Sequence, residues 1–267
     1  YVGHQVPMSY EKLSELVANW GKSPFVKVHI LGKSIEGRDL FRLEITDPAS
    51  SVPREKRWVH YFANQHPGEH NSQWRMAGMI DWMLSDAAAA FRQRTICHFV
   101  PMMSPDAPSK GWYRVNAEGY DMNRTYRHTG ADNEKQAHEA CIVQSDLEAL
   151  MASNAPPVTA WSIHTWGGKT DPRIIAGPEM TEEKLGPWTK FRDLLDKYDA
   201  NDVVRTLEEW PLKEENANQW TEGTHMQFGI TTILCEGGGA LYTKEENVES
   251  GQVLMKALAD YYRGTRE

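Results

Sequence analysis

The sequence predicts an α/β fold: one domain over residues 1–267, with a mixed, mostly parallel central sheet covered by helices on both faces. Three observations predict it. From about Trp58 onward, short β-rich runs alternate with longer amphipathic stretches, as strands joined by helical crossovers do. Two earlier β-rich runs flank a glycine-containing turn and add antiparallel edge strands. No Pro/Gly/Ser-rich linker or internal repeat divides the 267 residues, and that length suits one large α/β unit.

The first element is a helix. Ser9 caps it, Leu13, Leu16, Val17 and Trp20 share one face, and Gly21 ends it. Residues 25–31 and 39–46 form a hairpin about the turn at 32–37. Residues 58–63 are a strand, and 74–84 a helix with Met76, Ile80, Met83 and Leu84 near one face. Residues 95–102 are a strand and 103–123 a long loop containing Pro and Gly. Residues 134–151 are an amphipathic helix carried by Ala137, Ala140, Cys141, Leu147, Leu150 and Met151. A strand at 158–163, a helix at 185–198 and a strand at 231–235 follow. The acidic run 208–215 reads as a solvated loop. The last helix opens at Thr243, where Glu246 completes a capping box, and buries Val253, Leu254, Ala257, Leu258 and Tyr261.

Composition narrows the function. Lys plus Arg is 29 and Asp plus Glu is 37, a net charge of −8, which disfavours wrapping nucleic acid. No apolar run approaches the ~18 residues that span a bilayer, so no membrane partner is expected. Cys97, Cys141 and Cys235 are too widely spaced for a disulfide framework or a Cys-type zinc site. They fit a reducing, cytoplasmic setting. The chain begins at Tyr1 rather than Met, so a trimmed or processed N-terminus is expected.

In an open α/β sheet, ligands bind beyond the carboxyl ends of the strands. After 58–63 come His66 and Glu69; after 95–102, a loop with Arg114, Asn123 and Arg124; after 158–163, His164; after 231–235, Glu236 and three glycines. Two imidazoles and a carboxylate make a zinc set that leaves a position open. His66 and Glu69, three apart, suit a turn entering a helix. Glu236, a carboxylate outside that set, suits proton transfer, and the two arginines suit an anionic substrate end or a developing oxyanion. Each residue alone has an ordinary reading: a helix-start charge pair, a half-buried histidine, a turn cap, solvated loop arginines. Their shared position at strand ends is what points to a site. His60 and His98 fall within strands and read as packed or hydrogen-bonded, and His70 as a neighbour of the ligands.

Taken together, these segments resemble the zinc carboxypeptidases of the carboxypeptidase A superfamily, and are most similar to the cytosolic carboxypeptidase branch. The first zinc segment is matched by His66-Pro67-Gly68-Glu69 with Ser72, Trp74, Met76 and Gly78. The arginine segment is matched by Pro101-Met102-Met103-Ser104-Pro105-Asp106, then Gly111, Arg114 and Gly119-Tyr120-Asp121-Met122-Asn123-Arg124. Ser162-Ile163-His164 and residues 231–236 match the second histidine and catalytic glutamate segments, and Gly32-Lys33-Ser34-Ile35-Glu36-Gly37-Arg38 an early turn. The likeness runs from about Tyr10 to Tyr262, in order.

The resemblance implies a zinc carboxypeptidase-like fold and a metallocarboxypeptidase acting on peptide or protein C-termini. One zinc ion per chain would be held by His66, Glu69 and His164, the donor set already known from carboxypeptidase A itself. Glu236 would activate the zinc-bound water and Arg114 would hold the oxyanion of the scissile carbonyl. Asn123 and Arg124 would grip the terminal carboxylate. Three departures stand out. Ser104-Pro105-Asp106-Ala107 replaces the family's Asn-Pro-Asp-Gly, so that turn is expected to differ. No Tyr lies between Asp199 and Glu236, where the family carries a lid tyrosine. Residues 222–228 align poorly with its specificity pocket. Two alternatives stay open: a zinc amidase acting on a cell-wall or other non-peptide amide, and a catalytically silent domain that binds C-terminal tails.

Overall fold

The computed structural model describes residues 5–127, 136–176, 186–239 and 241–264, with the backbone alone at 173–176. In chain order the elements are α1 (Tyr10–Trp20), β1 (Val26–Lys33), β2 (Asp39–Ile45), β3 (Trp58–Ala63), α2 (His70–Leu84), α3 (Ala89–Arg94), β4 (Thr95–Val100), α4 (His138–Met151), β5 (Thr159–Ile163), β6 (Asp171–Ala176), α5 (Thr189–Tyr198), β7 (Glu208–Glu209), α6 (Trp220–Phe228), β8 (Thr231–Glu236) and α7 (Lys244–Tyr261).

One eight-stranded sheet has the order β1-β2-β4-β3-β5-β8-β6-β7. Its centre, β4-β3-β5-β8, is parallel. The hairpin β1-β2 joins it antiparallel through β4, and β6 joins it antiparallel through β8. The predicted mixed sheet is therefore present.

Strand β3 shows why both faces are covered. Phe62 enters one apolar cluster with α1, α2, α3, α5 and α7, while Tyr61 and Ala63 enter another with α4 and α6. Successive side chains of a strand point to opposite faces, so a buried strand needs a helical layer on each side. Helices α2 and α7 approach until a Cβ on Gly78 would lie 2.0 Å from the Val248 carbonyl and one on Gly251 2.0 Å from that of Arg75. Only glycine permits that contact.

Caps were legible. Ser9 accepts from Lys12 N, and Thr243 with Glu246 forms the capping box. Other boundaries differ. Helix α2 starts at His70, not residue 74, and the strand after α3 stops at Val100. Glu134, Lys135 and Leu185 lie outside the described residues, and α4 and α5 begin at His138 and Thr189. The sequence reading missed α3, α6, β6 and β7. Within the acidic run, Glu208 and Glu209 are an exposed two-residue strand.

His60 and His98 are indeed packed. The ring of His60 lies by Phe91 and Tyr262, and its Nδ1 meets Thr159 Oγ1 at 2.8 Å. Burial pushes its pKa down to about 3, and burial with the Arg42 charge does the same to His98. Below pH ~6.5 the unfolded chain binds protons that these native imidazoles refuse, so stability falls as pH falls. Each should cost about 2 kcal/mol between pH ~7 and ~5. Thermal unfolding of wild type and His60→Asn checks this. The variant should lose less stability over that interval, and parallel losses contradict the assignment.

Candidate active site

The parallel strands deliver their carboxyl ends to one edge. Strand order reverses between β3 and β5, since the chain leaves β3 toward β4 on one side and later continues from β5 toward β8 on the other. Such a switch leaves a crevice. His66 follows β3, Glu69 immediately precedes α2, His164 follows β5, and Glu236 ends β8.

His66, Glu69 and His164 converge and are buried, with potential ligand atoms within 4.8 Å of one another. Glu69 Oε1 lies 2.7 Å from His66 Nδ1, and Glu69 Oε2 lies 2.9 Å from His164 Nδ1. The two Nδ1 atoms are 3.0 Å apart. Two ring nitrogens that close repel unless a proton or a cation lies between them.

The outward nitrogens favour the cation. His66 Nε2 faces Asp121 Oδ1 at 2.9 Å, and His164 Nε2 faces Ser162 Oγ at 2.8 Å. The carboxylate acceptor places the His66 proton on Nε2 and turns the Nδ1 lone pair inward. Ser162 is held in turn, donating to Gln65 Oε1 at 2.7 Å. The Thr165 backbone N–H donates to Glu69 Oε2 at 2.9 Å. Burial pushes the Glu69 carboxyl up, but the neighbouring imidazoles outweigh it and hold the pKa at about 2. Burial opposes charge on His66 too, yet hydrogen bonds to Asp121 and Glu69 raise its pKa overall. An inward-facing, oriented set of two imidazoles and one carboxylate fits zinc.

Glu236 is half-buried, and its side chain has no hydrogen-bond partner among the described residues. Behind it Arg75 is fully buried and donates to the carbonyls of His164 at 2.8 Å and Gly237 at 2.7 Å. One guanidinium thus ties the chain after β5 to the chain after β8. Arg114 is partly exposed, and its Nε donates to Asp121 Oδ2 at 2.5 Å. Asn123 is buried: its Oδ1 accepts from Trp220 N at 2.8 Å, and its Nδ2 lies 3.4 Å from His164 Nε2. Arg124 is exposed and donates to the Asn123 carbonyl at 2.7 Å.

Residues that sequence reasoning left without a role complete the arrangement. Asp121 bridges His66 and Arg114, so one carboxylate orients an imidazole and an arginine together. Burial pushes its pKa up, but the hydrogen bond and charge of His66, the Asn123 N–H and the Arg114 charge together outweigh that and hold it well below the usual carboxylate range. The signal was present in the Asp121-Met122-Asn123-Arg124 run, because ligating histidines usually carry a carboxylate or carbonyl partner. Asp106 is fully buried and accepts from Ser34 Oγ, Glu36 N and Arg38 Nη1 at 2.7, 2.9 and 2.7 Å. It binds the early turn to the arginine loop. His70 serves the helix start: its Nδ1 accepts from Met8 N at 3.3 Å.

Replacing Asp121 with Asn should weaken zinc binding about 10–100-fold, because an amide orients the imidazole without the charge. Competition with a chelating indicator measures this, and an unchanged affinity contradicts the orienting role.

Comparison with known proteins extends the geometry. Residues 14–153 match the family model described as zinc carboxypeptidase. Cytosolic carboxypeptidase 2 of Danio rerio is 36% identical over 135 residues, which is 48% of this chain and 19% of that protein. Cytosolic carboxypeptidase 3 of Mus musculus is 33% identical over 132 residues, 47% of this chain and 13% of that one. The match therefore spans about a fifth or less of these relatives' length. A metallo-carboxypeptidase structure from Burkholderia cenocepacia superposes with TM-score 0.80 at 21% identity, covering 97% of this chain and 70% of that one.

Proposed function

Because this chain belongs to the zinc carboxypeptidase family, we propose that it is a zinc-dependent metallocarboxypeptidase that hydrolyses the last peptide bond of peptides or proteins. The observation that carries this reading is the convergence of the two Nδ1 atoms and the Glu69 carboxylate, with both outward nitrogens already engaged. His66, Glu69 and His164 would hold one zinc ion. When bound, zinc supplies a Lewis acid that polarises a carbonyl and makes water acidic near neutral pH.

The chain's own residues supply the rest. Glu236 takes a proton from the attacking water and passes it to the leaving amine. Arg114, held by Asp121, faces the negative charge that develops on the carbonyl oxygen. Asn123 and Arg124 receive the free carboxylate, and this selects the terminal bond over internal ones. The three cysteines are free, as a reducing, cytoplasmic setting would keep them, and no described helix is long and apolar enough to cross a membrane.

A panel of peptides with different C-terminal residues, run beside cell-wall amides, tests the reading. Release of terminal residues from peptides supports it. Release from the amides alone favours a zinc amidase, and binding without release favours a silent tail-binding domain.

A further inference from the structure

Helix α2 begins at His70, directly after Glu69, and two of its side chains reach the chain that follows Glu236. Asn71 and Arg75 stand four apart, on one face of the helix. Asn71 is buried, and its Nδ2 donates to the carbonyls of Gly238 at 2.7 Å and Gly239 at 3.2 Å. Arg75 is fully buried. Its Nη2 donates to the Gly237 carbonyl at 2.7 Å, its Nη1 to the His164 carbonyl at 2.8 Å and its Nε to Thr170 Oγ1 at 3.0 Å. The three carbonyls after Glu236 are thus all held by the helix that Glu69 starts. The loop rests on the guanidinium itself, since a Cβ on Gly238 would lie 2.6 Å from Arg75 Nη2.

An arginine is a costly way to fill this space. It keeps its charge when buried, and its partners here are carbonyl and hydroxyl oxygens, with no carboxylate paired to it among the described residues. Its planar fork does what an apolar side chain cannot. It spans two carbonyls at a fixed spacing, one on the ligand His164 and one on the neighbour of Glu236. The Glu236 side chain has no partner of its own, so its place relative to the cluster is set by its backbone. We propose that Arg75 and Asn71 are positioning residues for the reaction: they fix Glu236 against His66, Glu69 and His164, so that the base stays within reach of the attacking water. The proposal rests on the carboxypeptidase reading above, in which Glu236 takes that water's proton, and adds two residues to it.

Two variants test the clamp, each assayed on zinc-saturated protein with a free-acid peptide. Arg75→Lys keeps the charge but replaces the fork with a point donor. Asn71→Ala removes two hydrogen bonds and leaves no buried charge, so it folds even if Arg75→Lys does not, and then decides alone. In each, kcat should fall on the order of 10–10²-fold, the cost of a misplaced reacting group. KM and zinc content should hold, because the three ligands, Asn123 and Arg124 are untouched. Amide hydrogen exchange at residues 236–239, read on zinc-free protein, should quicken. A role confined to packing would lower the melting temperature and leave kcat of the folded protein unchanged. Wild-type kcat in a folded, zinc-loaded variant, or a loss carried by KM alone, overturns the inference and leaves the hydrolase reading standing. If wild type releases no residue from any peptide, the hydrolase reading falls and takes the inference with it.

Discussion

Glu236→Gln is expected to keep its zinc and its fold while losing about 10²–10⁴ of its turnover, the usual contribution of a positioned general base. That corresponds to about 3–5 kcal/mol of barrier. The structure explains why fold and activity should separate. Glu236 ends β8 in register with Asp171 of β6, so its backbone is held by the sheet. Its side chain has no hydrogen-bond partner among the described residues, so an isosteric amide breaks no contact. It also contributes nothing to the His66, Glu69 and His164 cluster. Turnover and zinc content measured on the same preparation check the expectation. Full turnover in the variant would remove Glu236 from the mechanism.

His164→Ala is expected to act through the metal instead. It deletes one of three donors and leaves Glu69 Oε2 and Ser162 Oγ facing a void in a buried site. If the three ligands share equally a zinc binding energy of about 10–16 kcal/mol, losing one should weaken affinity on the order of 10²–10⁴-fold. Elemental analysis of protein purified without added metal should find near one zinc per wild-type chain and little in the variant. Equal zinc in both chains would place the metal elsewhere.

Much of this fold was legible because its central strands are buried on both faces. The run Trp58–Ala63 is near-continuous in apolar and aromatic residues, and its bounds were read as they stand. β6 was missed for the opposite reason. It opens on Asp171-Pro172, and proline within a run argues against a strand. It survives there because β8 flanks it on one side and the two-residue β7 on the other. α6 was missed because its buried positions are Trp220, Thr221, Glu222, Gly223 and Thr224, consecutive residues with no apolar stripe. Its place is set by tertiary contacts, such as Trp220 N on Asn123 Oδ1.

The candidate site divides along the same line. His66, His164 and Glu236 were legible because strand ends in a parallel sheet share an edge. Loop paths carry no such periodicity. Nothing in the spacing announced that Asp106 holds residues 34–38. Arg75 was hidden too. It sits in the middle of α2, where a charged residue reads as solvent-facing, yet it is fully buried against carbonyls at the strand ends.

The most direct test uses one peptide in two forms, free acid and C-terminal amide, followed by mass spectrometry. The account predicts loss of single terminal residues from the free acid only, abolished by chelation and restored by zinc. Cleavage of the amide at the same rate, cleavage at internal bonds, or release that persists after complete metal removal would contradict it.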